Sequence, residues 1–168
     1  MTATGRSNHR RQLLEGLWRF VVTASSIPGV RTIALLGSIT TAKPNPKDID
    51  VLIVVDDDAD LAALATVSRR LQGHAQGYNC GADVFLADSR GIYIGRTCPW
   101  RDCQPGVRLA CDARHCGQRP YLHDDLDTVQ LGESLVAAPP VTLWPRTEHR
   151  GPVPPDVEEF IATLQHAV

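Results

Sequence analysis

The segment LLGSITTAKPNPKDIDVLIVV, residues 35–55, constrains the fold of this chain more than any other stretch. It joins two short apolar runs, RTIALL and VLIVV, each with the length and composition of a buried β-strand. Pro44 and Pro46 stand between the runs, and each removes a backbone donor and restricts the residue before it. No long helix can therefore connect the two runs, and the segment predicts two strands joined by a polar loop.

The surrounding sequence extends this pattern into an α/β fold. Apolar residues at helical spacing predict helices over residues 7–25 and 56–75, and GADVFLAD predicts a third strand. Further helices are predicted over 124–136 and from about Asp156, on either side of a proline-rich run. We expect one domain of 168 residues, with a core over 7–90, an irregular Cys- and Arg-rich segment over 91–123, and C-terminal helices with a proline-rich tail over 124–168.

Composition excludes several classes of function. The net charge of −2 provides no general attraction to nucleic acid or to an acidic membrane, so any anion site must be local. No apolar stretch is long enough to span a bilayer, and the first residues lack the apolar core of a secretory signal. The sequence therefore predicts a cytoplasmic protein without a membrane partner.

Two aspartates open the second apolar run, where a buried strand would not tolerate charge without compensation. Side chains two apart on a strand share a face, so Asp48 and Asp50 project together while Ile49 turns into the core. Two carboxylates ~6–7 Å apart repel each other unless a cation lies between them, and hard divalent cations prefer oxygen ligands. Asp83, in the third predicted strand, is the candidate third ligand. Capping by Asp48 and an ion pair of Asp50 with Lys47 or an arginine is the structural alternative.

The residues around these aspartates favour a functional site. Gly37 and Ser38 close the first strand, where a glycine allows close approach of a phosphate and a serine hydroxyl can donate to its oxygens. Nine residues separate Ser38 from the Asp48-Ile49-Asp50 motif, which is followed by a helix and Asp83. This order, over residues 30–88, resembles the DNA polymerase β-like nucleotidyltransferase superfamily, particularly its small single-domain members.

The resemblance implies a small mixed β-sheet flanked by helices and a site for a nucleoside triphosphate with two Mg²⁺ or Mn²⁺ ions. Gly37 and Ser38 would hold the triphosphate. Asp48 and Asp50 would bridge both ions, and Asp83 would hold the ion nearest the attacking hydroxyl. Small antitoxin-type members usually carry an arginine and a glycine shortly after Gly-Ser, whereas this chain reads GSITTAKPNPKDID. Either Lys43 or Lys47 contacts phosphate in their place, or both lysines are solvated.

Four of the five cysteines lie close together, in a C-x4-C-x7-C-x4-C pattern. Tetrahedral Zn²⁺ can be held by two such pairs, with His115 or His123 able to replace a cysteine. Ordinary reduced thiols and a disulfide or redox pair are the alternatives, and Cys80 is predicted to be a small buried apolar residue. The candidate zinc ligands are Cys98, Cys103, Cys111 and Cys116.

Arginines concentrate in the same segment, beside Trp100. They form either a local site for triphosphate or RNA or a solvated, salt-bridged surface. They are Arg96, Arg101, Arg108, Arg114 and Arg119.

The sequence as a whole predicts an enzyme that transfers a nucleoside monophosphate to a hydroxyl of a protein, an RNA or a small molecule. The alternative is an antitoxin-like or catalytically silent interaction protein, or a zinc-dependent nucleic-acid-binding module. The toxin–antitoxin reading and the acceptor stay open at this stage.

Overall fold

The computed structural model of the protein describes residues 3–102 and 119–168. Within these residues, four α-helices and a short 3-10 helix alternate with strands. The helices are α1 (Ala3–Ala24), α2 (Leu61–Gln76), α3 (Glu133–Ala137) and α4 (Pro155–Leu164), and the 3-10 helix spans Ser38–Thr40. The strands are β1 (Val30–Leu36), β2 (Asp48–Val55), β3 (Gly81–Ala87), β4 (Tyr93–Thr97), β5 (Leu122–His123), β6 (Val141–Trp144) and β7 (Glu148–His149).

The seven strands of the described residues form one mixed sheet in the order β5-β4-β3-β2-β1-β6-β7. Strands β2 and β3 run parallel, because α2 connects them as a crossover. The other neighbouring strands pair antiparallel. The predicted α/β class, with a small mixed sheet flanked by helices, is thus confirmed.

One face of the sheet carries the main hydrophobic core. Helices α1, α2 and α4 pack against it, and the apolar side chains of β1, β2 and β3 that point to this face are almost fully buried. Ile49 is one of them, with 0% exposure, as the alternation in the Asp48-Ile49-Asp50 motif predicted. The core thus fixes which way the two aspartates point, since a shift of one residue would bury the charges.

The opposite face carries a smaller apolar cluster. Leu36, Leu52 and Ala87 pack there with Val136 of α3, and Phe85 and Tyr93 lie against them. This cluster covers only part of the face. The start of β2 and of β3, where the aspartates lie, extends beyond it.

Several sequence predictions are corrected at the C-terminal end. The helix predicted over residues 124–136 forms only at its end, as α3 from Glu133; residues 126–128 form a turn, and extended backbone at Gly132 precedes α3. The predicted helix start at HDDLD is wrong, because Asp124 and Asp125 are buried and do not cap a helix. The terminal helix is confirmed, beginning at Pro155.

Two other predictions need adjustment. The proline-rich run contains β6 and β7, and β6 pairs directly with β1, so this region belongs to the sheet. Helix α2 begins at Leu61, after the run of aspartates, with Asp60 as its cap through a bond from the Ala63 amide. Among the described helices, none combines the length and the apolar character needed to cross a bilayer.

Candidate functional site

Three aspartates meet on one face of the sheet, at the start of the parallel pair β2 and β3. Asp48 and Asp50 lie two residues apart on β2, and Asp50 is the register partner of Asp83 on β3. Neighbouring strands lie ~4.8 Å apart, so the Asp50 and Asp83 side chains are direct neighbours. The structure therefore brings together the three carboxylates that the sequence analysis grouped.

Two glycines provide the space that these carboxylates occupy. A Cβ atom on Gly37 would collide with Oδ2 of Asp50, and one on Gly81 would lie 2.5 Å from Oδ1 of Asp48. Gly37 also has a φ of 75°, in the left-handed region that favours glycine. The Gly-Ser turn thus lies directly against Asp50, without a side chain in between.

The Asp50 carboxylate has no cation partner in the part of the chain that the structure describes. Within the described residues, neither Asp48 nor Asp50 has a side-chain salt bridge or hydrogen bond. Burial, together with the negative charges of Asp83 and Asp48, raises the pKa of Asp50 to about 6. The fold thus holds a negative charge in a position where its own residues do not neutralise it.

The turn that follows β1 exposes groups that can donate to an anion. Gly37 is exposed, and Ser38 begins the 3-10 helix with a hydroxyl that has no partner among the described residues. Lys43 and Lys47 both have exposed side chains and no salt bridge among the described residues. The backbone carbonyl of Lys43 accepts a hydrogen bond from Arg10, and the predicted contact of its side chain with phosphate stays a prediction.

Arg10 of α1 anchors the loop between β1 and β2. Its guanidinium donates to the carbonyls of Ile39 at 2.8 Å and Lys43 at 2.9 Å, and Nε donates to Asp156 of α4 at 2.5 Å. At Pro46, the carbonyl lies 3.3 Å from Nε2 of His9. The loop beside the carboxylates is therefore held along its length by α1, a role that the helical pattern of the sequence did not reveal.

Arg96 of β4 contacts the third carboxylate. Its Nη1 donates to Oδ1 of Asp83 at 3.0 Å, and its Nη2 donates to Oδ2 of Asp125. Asp125 is only 2% exposed at its side chain, whereas Asp83 is 39% exposed. From the sequence, Arg96 belongs either to an anion-binding group of arginines or to a salt-bridged surface, and here it forms two ion pairs. Asp125 was not predicted as its partner, and the alternation in YIGRT was the available signal for a strand carrying Arg96.

The three carboxylates form a donor set suited to hard divalent cations. As they stand, no three His, Cys, Asp or Glu side chains in residues 3–102 and 119–168 are arranged around a point where a metal ion could bind. The backbone positions of Asp48, Asp50 and Asp83 are fixed by the sheet register, and carboxylate orientation changes by side-chain rotation alone. The chemistry of these oxygens suits a divalent cation, and holding one with all three carboxylates would require side-chain rotation, including release of Asp83 from Arg96.

The predicted zinc ligands are only partly covered by the structure. Cys98 is buried at the end of β4, and Cys80 is buried as predicted, with its Sγ 3.1 Å from Nε2 of His9. Burial raises the pKa of the Cys80 thiol. Cys103, Cys111, Cys116 and His115 lie outside the described residues, so the zinc site stays a prediction.

The arginine-rich surface is likewise described in part. Arg101 and Trp100 are exposed, and Arg119 donates to the backbone carbonyl of Asp56 at 2.7 Å. Arg108 and Arg114 lie outside the described residues. Of the arginines of this segment that the structure describes, Arg96 contacts Asp83, Arg119 binds a backbone carbonyl and Arg101 is exposed to solvent.

Comparison with known proteins gives a family without an assigned activity. No curated protein and no solved structure matches the chain significantly. Residues 1–102, well over half of the chain, match the model of a family of unknown function, DUF6932. This match includes the Gly-Ser turn, all three aspartates and Arg96. The chain belongs to the DUF6932 family.

Proposed function

We propose that this protein is a metal-dependent nucleotidyltransferase of the DNA polymerase β-like superfamily. It moves a nucleoside monophosphate from a nucleoside triphosphate to a hydroxyl of a protein, an RNA or a small molecule. One observation carries the proposal: Asp50 is partly buried between Asp48 and Asp83 and against the Gly37 backbone, and no cationic side chain in residues 3–102 and 119–168 pairs with it. A carboxylate in this position is stabilised by a divalent cation and not by the fold.

The residues have distinct roles in this proposal. Asp48 and Asp50 would hold two Mg²⁺ or Mn²⁺ ions, and Asp83 would hold the one nearest the acceptor. When bound, the ions supply charge neutralisation at the phosphates and lower the pKa of the attacking hydroxyl. Gly37 lets the triphosphate approach the backbone, and Ser38 donates its hydroxyl to a phosphate oxygen. Asp83 is also the carboxylate placed to accept the proton of the acceptor hydroxyl.

The partners that follow are a nucleoside triphosphate and a hydroxyl-bearing acceptor, in a compartment such as the cytoplasm that contains both triphosphate and Mg²⁺. The predicted zinc segment would lie next to this site in the chain, because Cys98 directly follows β4. Its arginines would contribute to binding an anionic acceptor.

The test is transfer of label from each of the four α-³²P nucleoside triphosphates, with Mg²⁺ or Mn²⁺, to the protein itself, to RNA and to a small-molecule pool. Wild type is compared with Asp48→Asn/Asp50→Asn, and we expect a loss of label of at least about a hundredfold, since one charge-stabilising group is commonly worth that much. Asp57→Asn/Asp58→Asn is the matched control, because it removes two exposed aspartates outside the site. Equal labelling by the two double variants would contradict the proposal.

A second candidate is a catalytically silent interaction protein, such as an antitoxin-like partner. The observation that favours it is the contact of Arg96 with Asp83, which places a protein cation on the third carboxylate. In that case no triphosphate would be consumed with either metal, and Asp48→Asn/Asp50→Asn would bind its partner as wild type does.

A further inference from the structure

A buried carboxylate anchors the guanidinium of Arg96. Nη2 of Arg96 pairs with Asp125, which is 2% exposed and lies two residues after His123, the register partner of Arg96 in the pairing of β4 with β5. The other end of the guanidinium reaches Asp83 at 3.0 Å. A permanent positive charge is thus fixed at one edge of the carboxylate site.

This bridge is incomplete as a structural element. Within the described residues, Nε of Arg96 and Oδ1 of Asp125 are buried without hydrogen-bond partners. Buried polar atoms normally have hydrogen-bond partners, and a bound water molecule or ion is one explanation for an exception. The guanidinium of Arg96 is thus shared between two carboxylates, Asp125 and Asp83, and leaves one oxygen of Asp125 without a partner among the described residues.

The contact leaves the two sides of the site unequal. Within the described residues, Asp48 and Asp50 have no salt-bridge partner, whereas Oδ1 of Asp83 accepts a hydrogen bond from the guanidinium of Arg96. A divalent cation that approaches Asp83 meets both the occupied oxygen and the positive charge behind it. A cation bound by Asp48 and Asp50 alone is farther from that charge.

We propose that Arg96, held by Asp125, is a positioning residue that competes with divalent cations for Asp83. The inference rests on the proposed function for the identity of the site, but it concerns cation binding and not turnover. In the protein without nucleotide, Asp83 is engaged with Arg96 and contributes little to cation affinity. Binding of the triphosphate supplies the extra negative charge that lets a cation take Asp83 from Arg96.

The test is Mn²⁺ binding by wild type and Arg96→Gln at neutral pH, followed by electron paramagnetic resonance of free Mn²⁺. Removing one positive charge from beside an exposed site is expected to raise Mn²⁺ affinity about tenfold, or to add a second equivalent of bound Mn²⁺. The gain should vanish in Arg96→Gln/Asp83→Asn, and Arg96→Lys should restore wild-type binding in part.

Arg90→Gln is the matched control, because Arg90 pairs with Asp88 just beyond the other end of β3. It removes the same charge from the turn between β3 and β4 and should leave Mn²⁺ affinity within about twofold of wild type, since exposed charges so far apart are screened. If loss of Arg96 prevents folding by stranding Asp125, Arg96→Gln/Asp125→Asn removes both buried partners, and the same tenfold gain is expected from it.

The outcomes separate the two proposals. If wild type binds Mn²⁺ and Arg96→Gln binds it with the same affinity, the role of Arg96 is overturned and the proposed function stands. The same holds if Arg90→Gln gains as much Mn²⁺ affinity as Arg96→Gln. A gain in Arg96→Gln that depends on Asp83 supports the inference even if no label is transferred from any triphosphate. Absence of Mn²⁺ binding in wild type and all variants overturns both.

Discussion

The loop formed by residues 37–47 has two contrasting contacts with charged side chains. Its carbonyl groups accept hydrogen bonds from the buried Arg10, and its Gly37 backbone lies against the carboxylate of Asp50. In the first region, Arg10 donates to loop carbonyls and forms an ion pair with Asp156, so both of these charges have protein partners. In the second, Asp50 is partly buried beside two other carboxylates and has no salt-bridge partner among the described residues. The loop therefore contacts one charge that stabilises it and another whose surroundings raise the pKa of its carboxyl group.

The Arg10 region should respond to substitution through stability. Arg10→Ala removes the donors to Ile39, Lys43 and Asp156 from a residue that is 8% exposed, and we expect a loss of about 3 kcal/mol in the free energy of unfolding. Denaturant unfolding measures this loss. The control is Arg19→Ala, which removes an exposed pair with Glu15 and should cost less than about 0.5 kcal/mol. Similar losses in the two variants would mean that Arg10 does not anchor the loop.

The Gly37 side of the loop can be tested with a pair of glycines. Gly37→Ala and Gly91→Ala both place a side chain at positive φ, which costs ~1–2 kcal/mol. A Cβ at Gly37 also collides with Asp50, whereas a Cβ at Gly91 has nothing within 4 Å. We therefore expect an additional loss of ~1 kcal/mol for Gly37→Ala alone.

Cation binding separates these two variants more sharply. Gly37→Ala should displace the Asp50 carboxylate and weaken Mn²⁺ binding, and Gly91→Ala should leave it unchanged. Calorimetric titration of each variant with Mn²⁺ makes the comparison. Unchanged binding by Gly37→Ala would separate the turn from the carboxylate site.

The smallest expected effect is the pH dependence that Asp50 contributes to stability. Its pKa of about 6 lies above its ordinary value of 3.8, so the folded protein binds this proton more tightly than the unfolded chain does. The stabilising contribution is complete below pH 4 and is lost as pH rises through 6. After allowance for solvent screening, the loss is on the order of 1 kcal/mol.

Asp50→Asn should remove that dependence. Without divalent cations, the variant is expected to melt ~2–4 °C above wild type at pH 7.5 and close to wild type at pH 4. Thermal unfolding across this pH range measures the difference. A variant that melts below wild type at pH 7.5 would show that the ionised Asp50 is stabilised by a partner within the fold.

The sequence predicted the common position of the three aspartates better than it predicted the residues that contact them. Asp48, Asp50 and Asp83 lie at the start of strands whose apolar alternation is unambiguous, so their common face followed from the strand period. The pairing of Asp50 with Asp83 depends on a crossover through α2, whose apolar stripe is equally clear. Local patterns were therefore sufficient for these three residues.

Arg96, Asp125 and Arg10 were not predictable in the same way. Arg96 and Asp125 are separated by 29 positions, and they meet through the short β4–β5 pairing, which has little apolar signal of its own. Asp125 resembled the start of a helix because acidic residues favour helix N-termini, but burial beside Arg96 determines its conformation instead. Arg10 appeared to be a polar position on a helix, and only the tertiary fold brings the loop and Asp156 to it. Long-range polar contacts carry no periodicity from which they could be predicted.

The central claim is that Asp50 binds a divalent cation, and titration calorimetry with Mg²⁺ at pH 7.5 and pH 5.0 tests it most directly. The account predicts binding at pH 7.5 that is lost in Asp48→Asn/Asp50→Asn and weakened severalfold at pH 5.0, where Asp50 with a pKa of about 6 is largely protonated. Absence of Mg²⁺ binding at both pH values, or equal binding by wild type and the double variant, would contradict it.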